Sequence, residues 1–192
     1  MKTKLGVINV TYPMPTVIVG ATVNGKPNFI TIAHTGILNH GKPQYVSIGM
    51  AKPHYTNQGI RENKTFSLNI PSEDLVVETD YVGLHSGHKH DKSALFKLFY
   101  GQLETAPMIT ECLVNAECRF HDVYDLPTHD IFIGEIVETY ADESILAEGS
   151  IDIAKLKPLL FDMASRKYWA LGGPIAQCWS VGKELKRSGG KT

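Results

Sequence analysis

The stretch that decides the fold is Thr16-Val-Ile-Val-Gly-Ala-Thr-Val-Asn-Gly-Lys-Pro-Asn-Phe-Ile-Thr-Ile-Ala33. Asn24-Gly25 stands between two β-branched runs, Thr16–Thr22 and Asn28–Ala33. That dipeptide takes positive φ cheaply, so the pair reads as a hairpin. Tyr45–Met50 predicts a third strand, with Val46, Ile48 and Met50 on one face and Tyr45, Ser47 and Gly49 on the other. Thr65–Ile70 repeats the pattern, with Phe66, Leu68 and Ile70 against Thr65, Ser67 and Asn69. The second face of each strand is small or polar. Solvent on that side would produce this, and so would a face left open for a flat ligand.

Working outward, Lys52-Pro53-His54-Tyr55-Thr56 carries the signals of a helix start, and the helix would run on through Asn57–Glu62. Ser72-Glu73-Asp74 opens a second predicted helix over residues 72–86. Leu113–Tyr124 and Ile131–Tyr140 read as strands joined through Leu126-Pro127-Thr128. Leu146–Ile151 could add a strand, Pro158–Asp162 is a short apolar run, and Ile175–Leu185 fits helix or strand. Many short strands with a few inserted helices predict a mainly β, α+β, barrel-based domain. No repeat or linker divides residues 1–192, so the chain is expected to be one domain. Ser188-Gly189-Gly190-Lys191-Thr192 reads as a frayed end, and disorder is expected over 186–192.

Composition narrows the function. The 192 residues are 43% hydrophobic, with 19 Lys+Arg against 20 Asp+Glu, a formal charge of −1. This balance opposes a nucleic-acid binder and a polybasic membrane surface. No apolar window is long enough to span a bilayer, and Met1-Lys2-Thr3-Lys4 is followed by no signal-peptide core. Three cysteines without a CxxC, Cys112, Cys118 and Cys178, suit a reducing, cytoplasmic setting. Cys112 and Cys118 read as small buried hydrophobes; electron transfer would need an exposed thiol of depressed pKa.

There is no dinucleotide or P-loop glycine motif, no HExxH and no GxSxG. Two stretches carry polar chemistry. In His85-Ser86-Gly87-His88-Lys89-His90-Asp91-Lys92, three histidines and an aspartate would allow a metal, yet the spacing matches no common closed site. The other reading is a solvated or ligand-facing loop, and no metal is assigned. Lys52, His54, Tyr55 and Thr56 gather donors at a helix start, either as an anion site at the end of the Ser47/Gly49 face or as an ordinary cap.

Taken in order, these pieces resemble the flavin reductase-like, FMN-binding split-barrel family, and within it the flavoredoxin branch. The resemblance rests on Asn28–Ala33, Pro43–Gly49, His54–Asn63 and Phe66–Pro71. It continues in Ser86-Gly87…Asp91-Lys92, Ala106–Cys118, His129–Ile136 and Tyr168–Gly172, and covers residues 13 to 182. It implies a split β-barrel homodimer with FMN near the subunit interface. By matching positions it implies Asn28, Thr31, Ile32 and Ala33 along the ring or ribityl chain, and Ser47, Lys52, His54 and Thr56 at the ribityl and phosphate. It also implies Asn69 from the adjacent strand, with Ser86 and Lys92 further on. Gly49 and Tyr55 join this set from the strand face and the helix start. His129 would lie near a nicotinamide, or else cap and pack at a strand start.

The activity so implied is NAD(P)H:FMN oxidoreduction, with NADH or NADPH, or a redox protein such as a ferredoxin, as donor. Such chemistry needs the rings positioned and no side-chain nucleophile, in keeping with the absent triad. The alternatives are a flavoredoxin-type electron carrier without a nicotinamide site and a non-catalytic FMN-binding protein.

Overall fold

The computed structural model describes residues 1–184; the expected disorder over 186–192 lies outside them. A short strand β1 (Met14–Pro15) leads into β2 (Val17–Val23), which pairs with β3 (Lys26–Ile32) in the predicted hairpin. Asn24 and Gly25 both have positive φ, 49° and 74°, as the turn requires. After Ala33-His34 come β4 (Thr35–Asn39), β5 (Tyr45–Ala51), helix α1 (Thr56–Asn63) and β6 (Thr65–Ile70). The 72–86 helix is real but shorter: a 3-10 turn at Glu73–Leu75 leads into α2 (Val76–Leu84). Then follow β7 (Leu98–Phe99), β8 (Met108–Ile109), β9 (Val114–Asp125) and β10 (His129–Ala141). The Leu146–Ile151 run splits into a hairpin of β11 (Leu146–Ala147) and β12 (Ser150–Ile151), because Glu148 and Gly149 turn with positive φ. A four-residue α3 (Ile153–Leu156), β13 (Leu160–Asp162) and β14 (Lys167–Trp169) follow. In the Ile175–Leu185 region the described residues form only a 3-10 turn at Val181–Glu184.

Seven strands make one sheet in the order β3-β2-β6-β9-β10-β5-β4, every pairing antiparallel. Its two edge strands, β3 and β4, are joined by only Ala33 and His34. A link that short spans on the order of 11 Å from Ile32 to Thr35. The sheet must therefore roll until its edges nearly meet, although they do not pair with each other. The inside of the roll is the main core, where Val17, Val19, Ile48, Met50, Phe66, Leu68, Cys118 and Phe132 are buried together. Outside, Ile18 and Phe29 pack with Val82, Phe96, Ile109 and Cys112. β2 is thus covered on both faces, which explains its nearly unbroken apolar run.

The small face of β6 is not open. Ser67 donates to the Pro107 carbonyl, and Asn69 donates to the Ile18 carbonyl and to Ser67 Oγ. Asn69 Oδ1 accepts from the Ile109 amide and from Asn115. The Ala106–Ile109 segment covers this face, so neither solvent nor a flat ligand meets it. Buried Glu117 holds the preceding loop by accepting from the Gln102 and Leu103 amides at 2.9 and 2.7 Å.

Helix α1 lies directly on β2. A Cβ at Gly59 would collide with the Thr22 carbonyl, and Asn63 Nδ2 donates to the same carbonyl at 2.7 Å. Gly59→Ala is expected to push α1 off β2 and cost about 1–3 kcal/mol. Urea denaturation would read this, and an unchanged midpoint would show that the helix does not need the close approach.

Candidate functional site

The unpaired edges leave a cleft of about 350 Å³. Thr31, Ile32, Ala33 and His34 form one wall, and Gly49, Ala51, His54 and His129 another. Asp80, Gly83 and Leu84 of α2, with Phe161, Met163 and Tyr168 of the β13–β14 hairpin, close the remaining sides. Beside it lies a smaller cavity of about 150 Å³, lined by Asn28, Tyr55, Thr56, Ser86, Gly87 and Lys92 among others. His54, Gly83 and Leu84 line both. The larger cleft falls in the size range of small-molecule sites.

Local structure fixes each group. Tyr55 precedes α1 in αR conformation, and no side chain caps that end. Thr56 Oγ1 accepts from Asn28 Nδ2 at 2.7 Å, and both residues are buried. Tyr55 stacks on His88 with ring centroids 3.9 Å apart. Thr31 Oγ1 donates to the Thr79 carbonyl at 2.6 Å and so anchors α2 to β3. Lys92 is 2% exposed and donates to the Val82 and His85 carbonyls at 3.0 and 2.8 Å. Its ammonium thus meets the negative end of α2. Burial lowers its pKa to about 8.

Three of the residues singled out from sequence lie outside both cavities. Ser47 faces its neighbour Gly36 across the β4–β5 pair, with Oγ 3.4 Å from the Gly36 carbonyl. Lys52 is ion-paired to Asp125 at the far end of the β9–β10 hairpin. Asn69 is locked beneath Ala106–Ile109, as described above. Gly49 does line the cleft, but His34 already occupies the room it leaves: a Cβ there would sit 2.9 Å from the His34 Cβ. In the His85–Asp91 stretch, His85 stacks on Tyr81 and His90 at 4.1 and 4.9 Å, and Asp91 caps Ser93. No group of three or more His, Cys, Asp or Glu among the described residues is placed to hold a metal ion. Burial raises the pKa of Cys112 and Cys118, which suits packing more than reactivity.

Sequence reading overlooked Thr16, His34, Asp80 and the β13–β14 residues. Tyr168 Oη donates to Asp80 Oδ1 at 3.0 Å, and burial chiefly raises the Tyr168 pKa to about 12. His34 directly follows Asn28–Ala33 and was legible only as its continuation. Two polar atoms of the cleft walls are buried without a partner, Thr16 Oγ1 and His54 Nδ1. Such atoms are costly unless a ligand or water meets them. An apolar cleft beside a pocket holding a buried ammonium and a hydroxyl fits a flat ring with an anionic tail.

The family described as "Flavin reductase like domain" matches residues 10–170. Among solved structures, the chain is similar to flavoredoxin from Methanosarcina acetivorans, at 42% identity and a TM-score of 0.93, over 97% of this chain and all of that one. It is also similar to flavoredoxin of Desulfovibrio vulgaris (Miyazaki F), at 33% identity and a TM-score of 0.88, over 95% and 100%. An uncharacterized protein of Archaeoglobus fulgidus is 29% identical over 134 residues, 68% of this chain and 75% of that protein.

Burial, and then the neighbouring His129, lower the pKa of His34 and of His54; Lys92 lowers His54 further. Below about pH 6.5 the unfolded chain takes up protons that these folded imidazoles resist. The unfolded state then binds more protons, so stability falls as pH drops through that value toward the folded pKa values. Urea titrations at about pH 7.5 and about pH 5.5 should show this loss, and His54→Asn should reduce it. An equal loss in the variant would remove His54 as a source.

Proposed function

The chain belongs to the flavin reductase-like family, in its flavoredoxin branch, and on that premise we propose an FMN-binding oxidoreductase. It passes electrons from NADH or NADPH, or from a redox protein, to flavin or another acceptor. The observation that carries this reading is the adjacent pair of cavities that share His54, Gly83 and Leu84, one mostly apolar and the other holding the buried Lys92. Thr31, Ile32, Ala33, Gly49 and His54 would hold the ring system. Asn28, Tyr55, Thr56, Ser86 and Lys92 would hold the ribityl and phosphate.

FMN, when bound, supplies reversible two-electron chemistry that no amino-acid side chain offers. The chain's own residues bind, orient and shield. Leu84, Phe161 and Met163 exclude water from the cleft and so strengthen the polar contacts inside it. The Lys92 ammonium offers a charge-assisted bond to a phosphate. His129 sits at the rim, where its Nδ1 is 2.9 Å from Thr128 Oγ1. That bond would hold the imidazole for contact with a nicotinamide, the role the family resemblance implies for it.

The reading extends to the assembly. The rolled sheet is a split β-barrel of the FMN-binding type, in one domain over residues 1–192, and the active form is a cytoplasmic homodimer with the flavin near its interface. Support comes from exposed apolar side chains: Val7, Val10, Ile37, Leu38, Ile175 and Trp179, the last at 91%. A second reading, an electron carrier without a nicotinamide site, is favoured by the likeness to two flavoredoxins. There a ferredoxin-like protein would be the donor.

Anaerobic stopped-flow separates the two. Rapid bleaching of the bound flavin by NADH or NADPH supports the reductase; bleaching only by a reduced ferredoxin supports the carrier. A purified chain that takes up no FMN would refute both. For the phosphate end, Thr56→Ala is expected to weaken FMN binding by about 1.5–3 kcal/mol, while Lys52→Ala leaves it unchanged. Equal losses in the two variants would put the phosphate at Lys52 instead. Binding a dianion should return Lys92 to its charged form, so FMN affinity should fall as pH rises through about 8. Lys92→Met should abolish that dependence, as titration by flavin fluorescence would reveal.

A further inference from the structure

The reading above leaves one cleft residue without a task. His34 stands between Ala33 and Thr35 at the seam, and its carbonyl accepts from the Gly49 amide at 2.7 Å. Its Nε2 lies 2.7 Å from Tyr12 Oη. Tyr12 also packs edge-on against Phe161 of the β13–β14 hairpin, with centroids 6.2 Å apart. The His34 and His129 rings stand 5.7 Å apart. Among the described residues, neither the His34 ring nor the Tyr12 hydroxyl makes another hydrogen bond to a second group.

The direction of the Tyr12–His34 bond follows from counting protons. The phenol O–H is a donor that is best met by an acceptor. Among the described residues, His34 Nε2 is the one acceptor in reach. An Nε2 that accepts leaves a neutral imidazole whose proton sits on Nδ1. That N–H then has no partner among the described residues, although the side chain lines the cleft. The lowered pKa of His34 agrees with the neutral form. The charged or titratable groups facing the same space are His129, His54 and Asp80, the last already engaged by Tyr168.

We propose that His34 is a ligand-contacting residue, fixed by Tyr12 as the Nδ1–H tautomer, which donates one hydrogen bond to an acceptor atom on the ring system held in the cleft. The ligand half of this rests on the FMN reading; the tautomer half does not. Tyr12 is then a positioning residue that acts through His34. The hydrogen bond can select for a carbonyl oxygen or unprotonated ring nitrogen at that place.

The test uses the shapes of the two amides. Asn at position 34 places an N–H near the His Nδ1 position, whereas Gln places one near Nε2. His34→Asn should keep FMN affinity within about twofold of the parent, and His34→Gln should lose on the order of five- to tenfold. Equal affinities for the two variants would overturn the donor role. Nitrogen chemical shifts of His34 in the flavin-free chain report the tautomer directly. The Nδ1–H form is expected in the parent and a mixture in Tyr12→Phe, whose His34 pKa should rise once the phenol no longer favours the neutral ring. A parent chain with Nε2–H predominant would overturn the Tyr12 role. Failure of the parent to bind FMN would overturn the flavin reading and the ligand contact with it, while the tautomer measurement stands on its own.

Discussion

The structure turns on a length constraint. Two residues, Ala33 and His34, connect strands at opposite edges of a seven-stranded sheet. Covalent geometry allows no path except one in which the sheet rolls over. Twist and two bulges in the β9–β10 pair, one at His121 of β9 and one at Val137 of β10, supply the curvature. What the roll cannot do is finish. The edges approach without pairing, and the backbone at the seam stays available. Main core, cleft and smaller cavity are consequences of one short link.

Around the seam, burial and pairing are balanced with little slack. Lys92 is desolvated yet satisfies two helix carbonyls, so its charge serves α2 as well as the cavity. Asp80 and Tyr168 neutralise each other's polar needs across the mouth. Asn28 and Thr56 are bonded to each other inside the smaller cavity. Against this background Thr16 Oγ1 and His54 Nδ1, buried without a partner, stand out.

Much of this was legible in the sequence because local chemistry determined it. Asn24-Gly25 specified the hairpin, and the alternation at Val46–Met50 and Phe66–Ile70 gave the core face. The donors gathered at His54–Thr56 reached a cavity, because the start of α1 places them within one turn of the chain. What stayed hidden were contacts distant in sequence. Lys52 finds Asp125 across 73 residues, and Ala106–Ile109 folds over Asn69 from about 40 residues away. The strand Thr35–Asn39 was missed because it is an exposed edge with little alternation to read. His34 was passed over for a similar reason: its meaning depends on Tyr12, which lies outside any periodic element.

The same short link has an evolutionary side. Lengthening it by even one residue would relax the constraint that rolls the sheet and would shift the register of β4 against β5. Insertions at the seam are therefore penalised by the whole architecture, whereas substitutions there leave the main core untouched. Position 34 combines a fixed address with a free identity. Chains built on this roll have a cheap route to a different cleft lining, by exchanging the side chain that the link holds there.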